Sequence, residues 1–434
     1  MRLALLAAVI GAVHGLVYVP FANHVGGDTP SYTAPAHALL HGSYSTPLPA
    51  VDVTGLRIPT EARGRLEPQT YRAPGYPLLL AVAGGGTSSA SIDAVIGLQA
   101  LLTGATVFLL ALTFRRVWSE RTALLATYLV ALDPFTKHYV AKILSEVLAG
   151  LLVAAAAYAL VCALQTRKAS HWAVLGFAAA ALSLTRPLFL IVLPLIVVGL
   201  LLRTSSLRER IRDVAATTAA AATLVVPWLA WTSAATGHPV MQSYGAGWNL
   251  LIAAHGEGLH RTAVEVEESA DYRRDFDAVH RLAPSAAQLI RDRDAHARYL
   301  ARADARQRDL ALDLYVQRLG REPLTVLGEI VYRAYFLWMA HEDWRQPPGL
   351  PTLGLRTLDW ITVLMASIGL VLALRLGGAG RWIGLFLLVY TAVNALNHVE
   401  ARYAMPVRGL AIGYAAVALM AVVSRVRALV VAPA

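Results

Sequence analysis

Cysteine is almost missing from this chain of 434 residues, which has one, Cys162, inside an apolar run. That excludes an intrachain disulfide and a thiolate-held metal cluster. Lysine is nearly as scarce, occurring only at Lys137, Lys142 and Lys168. Charge of either sign is thin: 15% of residues are charged, where a soluble domain is nearer about a quarter. No internal repeat is visible, so the inverted-repeat signature of many transporters is missing. What is present is apolar surface, at 56% hydrophobic residues. An all-α polytopic membrane protein is expected. The formal charge of +10 does not point to nucleic acid. Many of the arginines flank apolar runs, where cytoplasmic loops gather positive charge.

A helix needs about 20 apolar residues to cross the hydrocarbon core. The runs at 3–20, 92–114, 122–136, 143–165, 172–186, 188–202, 212–233, 357–374, 382–397 and 405–424 predict a bundle of about ten transmembrane helices, with the third, fifth and sixth short. The first run lacks a clear signal-cleavage site, so an uncleaved helix is expected. Arg115, Arg116, Arg121, Arg167, Lys168, Arg203, Arg208, Arg375 and Arg381 then fall on one side, expected to be cytoplasmic. An eleventh apolar stretch, 325–340, carries Glu329 and Arg333. Charges at a helix centre cost roughly 2.5–3.5 kcal/mol each on insertion scales, so an amphipathic helix at the outer interface is expected there. Three parts follow: 1–233 with a long first outer loop at 21–91, an outer soluble segment at 234–356 whose middle should form solvated helices, and C-terminal membrane helices at 357–434.

Ionisable groups at the ends of short spans are costly unless they serve a cavity. This topology gathers Asp28, Arg72, Asp133, Lys137, His138, Lys142, Glu146, Arg186, Glu400 and Arg402 on the outer face. Each alone has an ordinary reading. Asp28 in "NHVGGDTPSY" suits a turn, Arg186 can snorkel, and Glu400 with Arg402 can form a local pair. Together they suggest an outward-facing polar cavity. Gly26 and Gly27 are expected to bend the backbone sharply and deliver Asp28 to it. A guanidinium is suited to bidentate phosphate recognition, and a lipid phosphate lies at the depth expected for Arg72, Arg186 and Arg402.

The ordered stretches "GGDTPSYTAPAHALLHGSY", "YRAPGYPLLLA", "ALDPFTKHYVAKILSEVLAG", "TRPLFLIVLP", "VVPWLAW…ATGHPV" and "HVEARYAMP" resemble the GT-C membrane glycosyltransferases. The likeness is to the bacterial glycosyltransferase family 39 members akin to the dolichyl-phosphate-mannose–protein mannosyltransferases, and to the aminoarabinose transferase of lipid A. The resemblance implies a GT-C-like bundle with outward-facing interfacial helices and loops, working in the cytoplasmic (inner) membrane with its site on the extracytoplasmic face. It implies inverting transfer of a single sugar from a polyprenyl-phosphate donor, which explains why no Gly-rich phosphate loop appears. Asp28 would then be the catalytic general base or the group that orients the acceptor. Arg72, Arg186 and Arg402, with Lys137, His138 or Lys142, would meet the donor phosphate. Glu146, Glu400 and Asp133 would orient those cations, and Tyr32, Tyr76 and Tyr403 would line the sugar or lipid path. The acceptor would be a cell-envelope glycan, glycolipid or protein, with membrane lipids around the enzyme and no nucleic acid.

The chain departs from several relatives in having Asp28-Thr29 where they have an acidic pair. No cofactor is therefore assigned, and a divalent metal is left open without an acidic pair to hold it. The Asp-x-Asp at 292–294 lies in a charge-dense helical stretch, "HED" at 341–343 lacks a second histidine, and His255, His260, His280 and His296 show no ligand spacing. Two rival readings stay open: an oligosaccharide polymerase or ligase using lipid-diphosphate donors, and a lipid-sugar flippase.

Overall fold

A computed structural model describes residues 1–203, 205–339 and 352–431; His341, Glu342 and Asp343 lie outside that set. All ten apolar runs fold as helices. In chain order the helices are α1 (Arg2–Leu16), α2 (Thr29–Leu40), α3 (Gly75–Val82), α4 (Ser89–Val117), α5 (Glu120–Leu132), α6 (Pro134–His138), α7 (Glu146–Thr166), α8 (Ala169–Thr185), α9 (Val192–Leu201), α10 (Leu207–Thr236), α11 (Ala246–Ala254), α12 (Ala263–Glu267), α13 (Ala270–His280), α14 (Ala286–Arg291), α15 (Ala295–Arg321), α16 (Pro323–Trp338), α17 (Thr352–Leu376), α18 (Gly378–Ala395) and α19 (Met405–Val431). Helices over Ser89–Val117, Glu146–Thr166, Leu207–Thr236, Arg356–Arg375 and Ala401–Arg425 are long and apolar enough to cross a membrane; Arg2–Leu16, Ala169–Thr185 and Pro187–Leu201 are apolar but shorter.

Local chemistry sets the ends that matter. The run expected to span 122–136 stops at Leu132. Asp133 begins a new helix there: its carboxylate accepts from the Thr136 N–H at 2.9 Å, and Pro134 occupies the first turn, where its missing N–H costs nothing. The run at 172–186 ends where Pro187 starts a 3₁₀ turn, leaving Arg186 in extended backbone (φ −141°). Each break leaves a charged side chain at a helix end.

The first loop is more structured than expected. A hairpin of β1 (Ser45–Pro47) and β2 (Leu66–Pro68) pairs antiparallel, Ser45 opposite Pro68. It docks on α15 through His296, whose Nε2 lies 2.8 Å from Asp52 and whose Nδ1 lies 2.8 Å from Glu67. Burial alone would push the His296 imidazole down, but hydrogen bonds to Asp52 and Glu67 raise it to about 9. The histidine is an imidazolium clamp between loop and soluble segment. The 263–320 stretch is largely helical, and one face of α15 is closed: Tyr299, Leu300, Ala303 and Gln307 are buried with His296.

The stretch at 325–340 does form a helix, α16, but its charges face protein. Arg333, 1% exposed, donates to Ala395 O at 2.8 Å and to the Tyr315 hydroxyl at 2.9 Å. Glu329 pairs with Arg318 at 2.7 Å. The face left bare is apolar, with Leu327 and Val331 exposed.

Candidate active site

Three connections, those leading into α2, α3 and α19, meet over the ends of α7 and α8. The "RAPGYP" turn runs into α3, whose first residue, Gly75, packs against α8. A Cβ at that position would come within 2.6 Å of Thr185 Oγ1 and 2.7 Å of Leu184 O, closer than real side chains pack. The missing Cβ lets the turn lie on α8, and Arg72 and Arg186 line the same cavity. The third connection is the 3₁₀ turn Ala401–Ala404, which carries Arg402.

Asp28 stands at the N-cap of α2, yet its carboxylate makes no capping hydrogen bond. It reaches away from its own helix. One oxygen takes Arg72 Nη2 at 2.7 Å and the other takes Arg402 Nη2 at 2.9 Å. Gly26 and Gly27 are not needed for this: neither has positive φ, and a Cβ on either would meet nothing within 4 Å. Burial works to raise the Asp28 carboxyl, but Arg72, Arg402 and Arg186 outweigh it and hold the group below its ordinary value.

Opposite charges alternate around this pair. Arg402 also meets Glu400 at 2.5 Å and lies 4.0 Å from Glu146, which takes Arg186 at 2.8 Å. Arg72 donates to Ser31 Oγ at 2.8 Å and lies 4.5 Å from the centres of the Tyr32 and Tyr71 rings. Arg186 lies 5.1 Å from the Tyr403 ring centre. Asp28, Tyr32, Arg72, Glu146, Arg186, Arg402 and Tyr403 all line one cavity of about 780 Å³.

Other expected site residues are not among its lining. Asp133 pairs with Arg408 at 3.1 Å, and Arg408 pairs with Asp359 at 2.6 Å. Lys137, 1% exposed, donates to Val130 O at 2.9 Å and Thr136 Oγ1 at 3.0 Å. His138 packs edge-on against Tyr18 and Tyr139, and Lys142 Nζ lies over the Tyr139 ring. Tyr76 is fully buried and donates to Gln99 at 3.0 Å. Glu400 is held against Arg402, outside the lining itself. The physical reason is rotational: a charge at the right helix end still points in only one direction around the axis, and from α5 to Lys142 those directions face neighbouring helices.

The cavity also has residues the sequence reading did not single out. His398 Nδ1 lies 2.6 Å from Glu257; burial opposes its charged form, but Glu257 and Glu400 raise the imidazole above its ordinary value. Asp304 of α15 accepts from the Gly245 and Gly247 N–H groups at 2.8 Å each, fixing the loop at the cavity edge. Asn249, Arg308, Asn394 and Asn397 complete the polar wall. His398 sits inside the noted "HVEARYAMP", and His238 inside "ATGHPV", so the motifs contained a signal that a search for charge alone passed over. The Asp-x-Asp lies apart from the cavity, with Asp292 paired to Arg298.

Residues 73–231 match the family model for dolichyl-phosphate-mannose-protein mannosyltransferases. Among solved structures, the chain is similar to the archaeal oligosaccharyltransferase AglB from Archaeoglobus fulgidus in complex with an inhibitory peptide and a dolichol-phosphate, with TM-score 0.55 and 13% identity over 98% of this chain and 51% of that one. The apo form of the Archaeoglobus fulgidus oligosaccharyltransferase gives TM-score 0.56 at 13% identity, over 99% and 51%. ArnT from Cupriavidus metallidurans bound to undecaprenyl phosphate gives 0.39 at 15% identity, over 96% and 78%. No curated protein sequence matches. The chain thus has the fold of the GT-C membrane glycosyltransferases. The segment that matches the mannosyltransferase model is less than half of the chain, and the chain spans about half the length of the oligosaccharyltransferase it resembles.

Proposed function

We propose that this protein transfers a sugar from a polyprenyl-phosphate donor to an acceptor hydroxyl on the outer face of the cytoplasmic membrane, with inversion at the anomeric carbon. The observation that carries this reading is the convergence of Arg72, Arg186 and Arg402 on one cavity around Asp28. The acceptor oxygen forms a bond to the anomeric carbon, the bond from that carbon to the phosphate oxygen breaks, and the electron pair leaves with the phosphate. The guanidinium groups stabilise charge where it develops.

Asp28 as it stands is a weak base, because Arg72, Arg402 and Arg186 hold its carboxyl below the ordinary value and proton transfer is most efficient when the base is matched to the working pH. A donor phosphate that engages Arg72 and Arg402 would draw counter-charge off Asp28 and bring negative charge beside it. Both effects push the carboxyl back up. In this reading Asp28 orients the acceptor hydroxyl first and takes its proton only once donor is bound. His398, held by Glu257, lines the same cavity, and in this reading the acceptor enters beside it.

Purified protein in lipid nanodiscs, given a panel of radiolabelled polyprenyl-phosphate sugars and envelope acceptors, tests the proposal; absence of donor-dependent glycosidic product with every sugar overturns it. The likeness to an oligosaccharyltransferase favours one second reading, transfer of a whole oligosaccharide from a lipid carrier. Mass spectrometry of the product separates the two, since single transfer adds one residue.

A further inference from the structure

Glu146 is the first residue of α7, and only 2% of its surface is exposed. Its Oε1 pairs with Arg186 Nη1 at 2.8 Å, and Arg402 Nε lies 4.0 Å away. Its Oε2 is buried and has no hydrogen-bond partner in the protein, although Glu146 lines the 780 Å³ cavity. An ionised carboxylate is an acceptor with about four lone-pair sites. A buried acceptor left bare costs about 1–3 kcal/mol, more when charged, and buried polar atoms in folded proteins are nearly always paired.

The missing partner must donate a hydrogen. A phosphate oxygen is the wrong chemistry, so Glu146 does not share the work of the three arginines. A sugar hydroxyl or ammonium is the right chemistry. Arg186 fixes where that group sits: it holds Glu146 Oε1 and, in the reading above, also meets the donor phosphate, so the bare Oε2 lies one guanidinium away from the phosphate and beside the sugar esterified to it. The Asn249 side-chain oxygen is a second buried acceptor without a partner on the same cavity.

We propose that Glu146 is a specificity residue that reads the donor sugar, its Oε2 accepting a hydrogen bond from one hydroxyl or ammonium of the sugar carried on the polyprenyl phosphate. The inference rests on the proposed polyprenyl-phosphate-sugar reaction. It predicts an anionic hydrogen-bond acceptor set directly beside the cationic phosphate subsite. It also predicts that sugars lacking the read group are rejected although they fit.

The test is a cycle between protein and donor. Wild-type protein and Glu146→Gln are assayed with the best donor from the panel and with its mono-deoxy (or deamino) analogues, reading KM and kcat for each. Gln keeps an oxygen for Arg186 but replaces Oε2 with a group that donates. Wild type should lose about tenfold to hundredfold in kcat/KM on one analogue, the worth of a hydrogen bond to a charged group, with the loss mainly in donor KM. Glu146→Gln should lose a similar factor on the full donor and little more on that one analogue. Equal losses across the whole analogue series mean that Glu146 acts only through Arg186, and overturn the proposal; so does unchanged donor discrimination. If Glu146→Gln does not fold, Glu146→Asp, which keeps the charge on Arg186 and withdraws the carboxylate from the sugar, takes its place in the cycle with the same expected pattern. Wild-type protein that transfers no sugar from any polyprenyl phosphate overturns the reaction itself, whereas normal wild-type transfer with a flat cycle overturns the Glu146 assignment alone.

Discussion

Two arginine–carboxylate networks lie at the same end of the helix bundle, and their surroundings separate them. Arg408 is 1% exposed, sits between Asp133 and Asp359, and belongs to three membrane helix ends. Arg72, Arg186 and Arg402 have side chains 14–19% exposed and share their carboxylates around a cavity. Chemistry and depth are alike, so residue type alone does not mark a site. What differs is exposure and the cavity each network borders: Arg408 is buried beside a smaller, mostly apolar cavity of about 230 Å³, walled by residues such as Val363, Leu370 and Leu387. A guanidinium closed between two carboxylates holds helices together, because either partner alone would be a buried, uncompensated charge. A guanidinium that opens on the larger, polar-walled cavity can exchange a carboxylate for a phosphate.

The sharpest way to break this comparison is to remove one residue from each network and read activity and stability separately. In the cavity, Asp28→Asn should lower transfer by about 10²–10⁴-fold, the usual worth of a positioned acid or base, and leave the melting temperature close to wild type. Full transfer by that variant, measured in the nanodisc assay, would remove Asp28 from the chemistry. In the closed network, Arg408→Gln removes the buried guanidinium that Asp133 and Asp359 share. It should cost about 3–5 kcal/mol, seen as a large fall in melting temperature in mild detergent, with activity lost only in proportion to folded protein. Replacing Arg408, Asp133 and Asp359 together with leucine should recover much of that stability. A triple variant that is stable but inactive would mean that the closed network also serves the reaction.

The two networks were not equally legible in the sequence. Asp28, Arg72, Arg186 and Arg402 stand beside helix breaks, at Gly-Gly, at Pro74, at Pro187 and just before a span, where a charge has few structural reasons to be. Asp133, Lys137, His138 and Lys142 stand at equally suitable ends, but hydropathy reports how deep a residue lies and not which way it points around the axis. Arg408 and Asp359 lie one turn inside their spans, and an ionisable residue there is a signal in its own right that attention to loop ends missed. His296 had no local signal at all: Asp52 and Glu67 are more than 200 residues away in the chain, and only the hairpin's docking on α15 reveals them. Helix positions follow from local apolar content, whereas charge partners follow from packing between distant segments.

The His296 clamp offers a milder contrast, because it is buried like Arg408 but joins the first loop to α15, outside the apolar runs. Its imidazole titrates at about 9 in the folded protein, above an ordinary value near 6.5. A raised value means that the clamp's contribution is fully present below about pH 6.5 and is lost as pH rises through about 9. Thermal melts from pH 6 to pH 10 should fall across that window, by an amount worth on the order of a few kcal/mol. His296→Gln should flatten the alkaline fall. A fall of the same size in that variant would place the titration elsewhere.

The smallest expected effect tests the line between the networks from the other side. Lys142 was among the cations that the family resemblance implied would meet the donor phosphate. Its ammonium instead lies 5.0 Å from the centre of the Tyr139 ring and is not among the cavity lining. A cation–π contact of that kind is worth about 0.5–1 kcal/mol at an exposed site, and it has no route to the transition state. Lys142→Gln should therefore leave donor KM and kcat within about twofold of wild type, while Arg186→Gln, one guanidinium on the cavity wall, should raise donor KM by about tenfold or more. A tenfold rise in donor KM for Lys142→Gln would show that the lysine swings into the cavity when donor binds. The separation between closed and open cations would then depend on the bound ligand as well as on the resting packing.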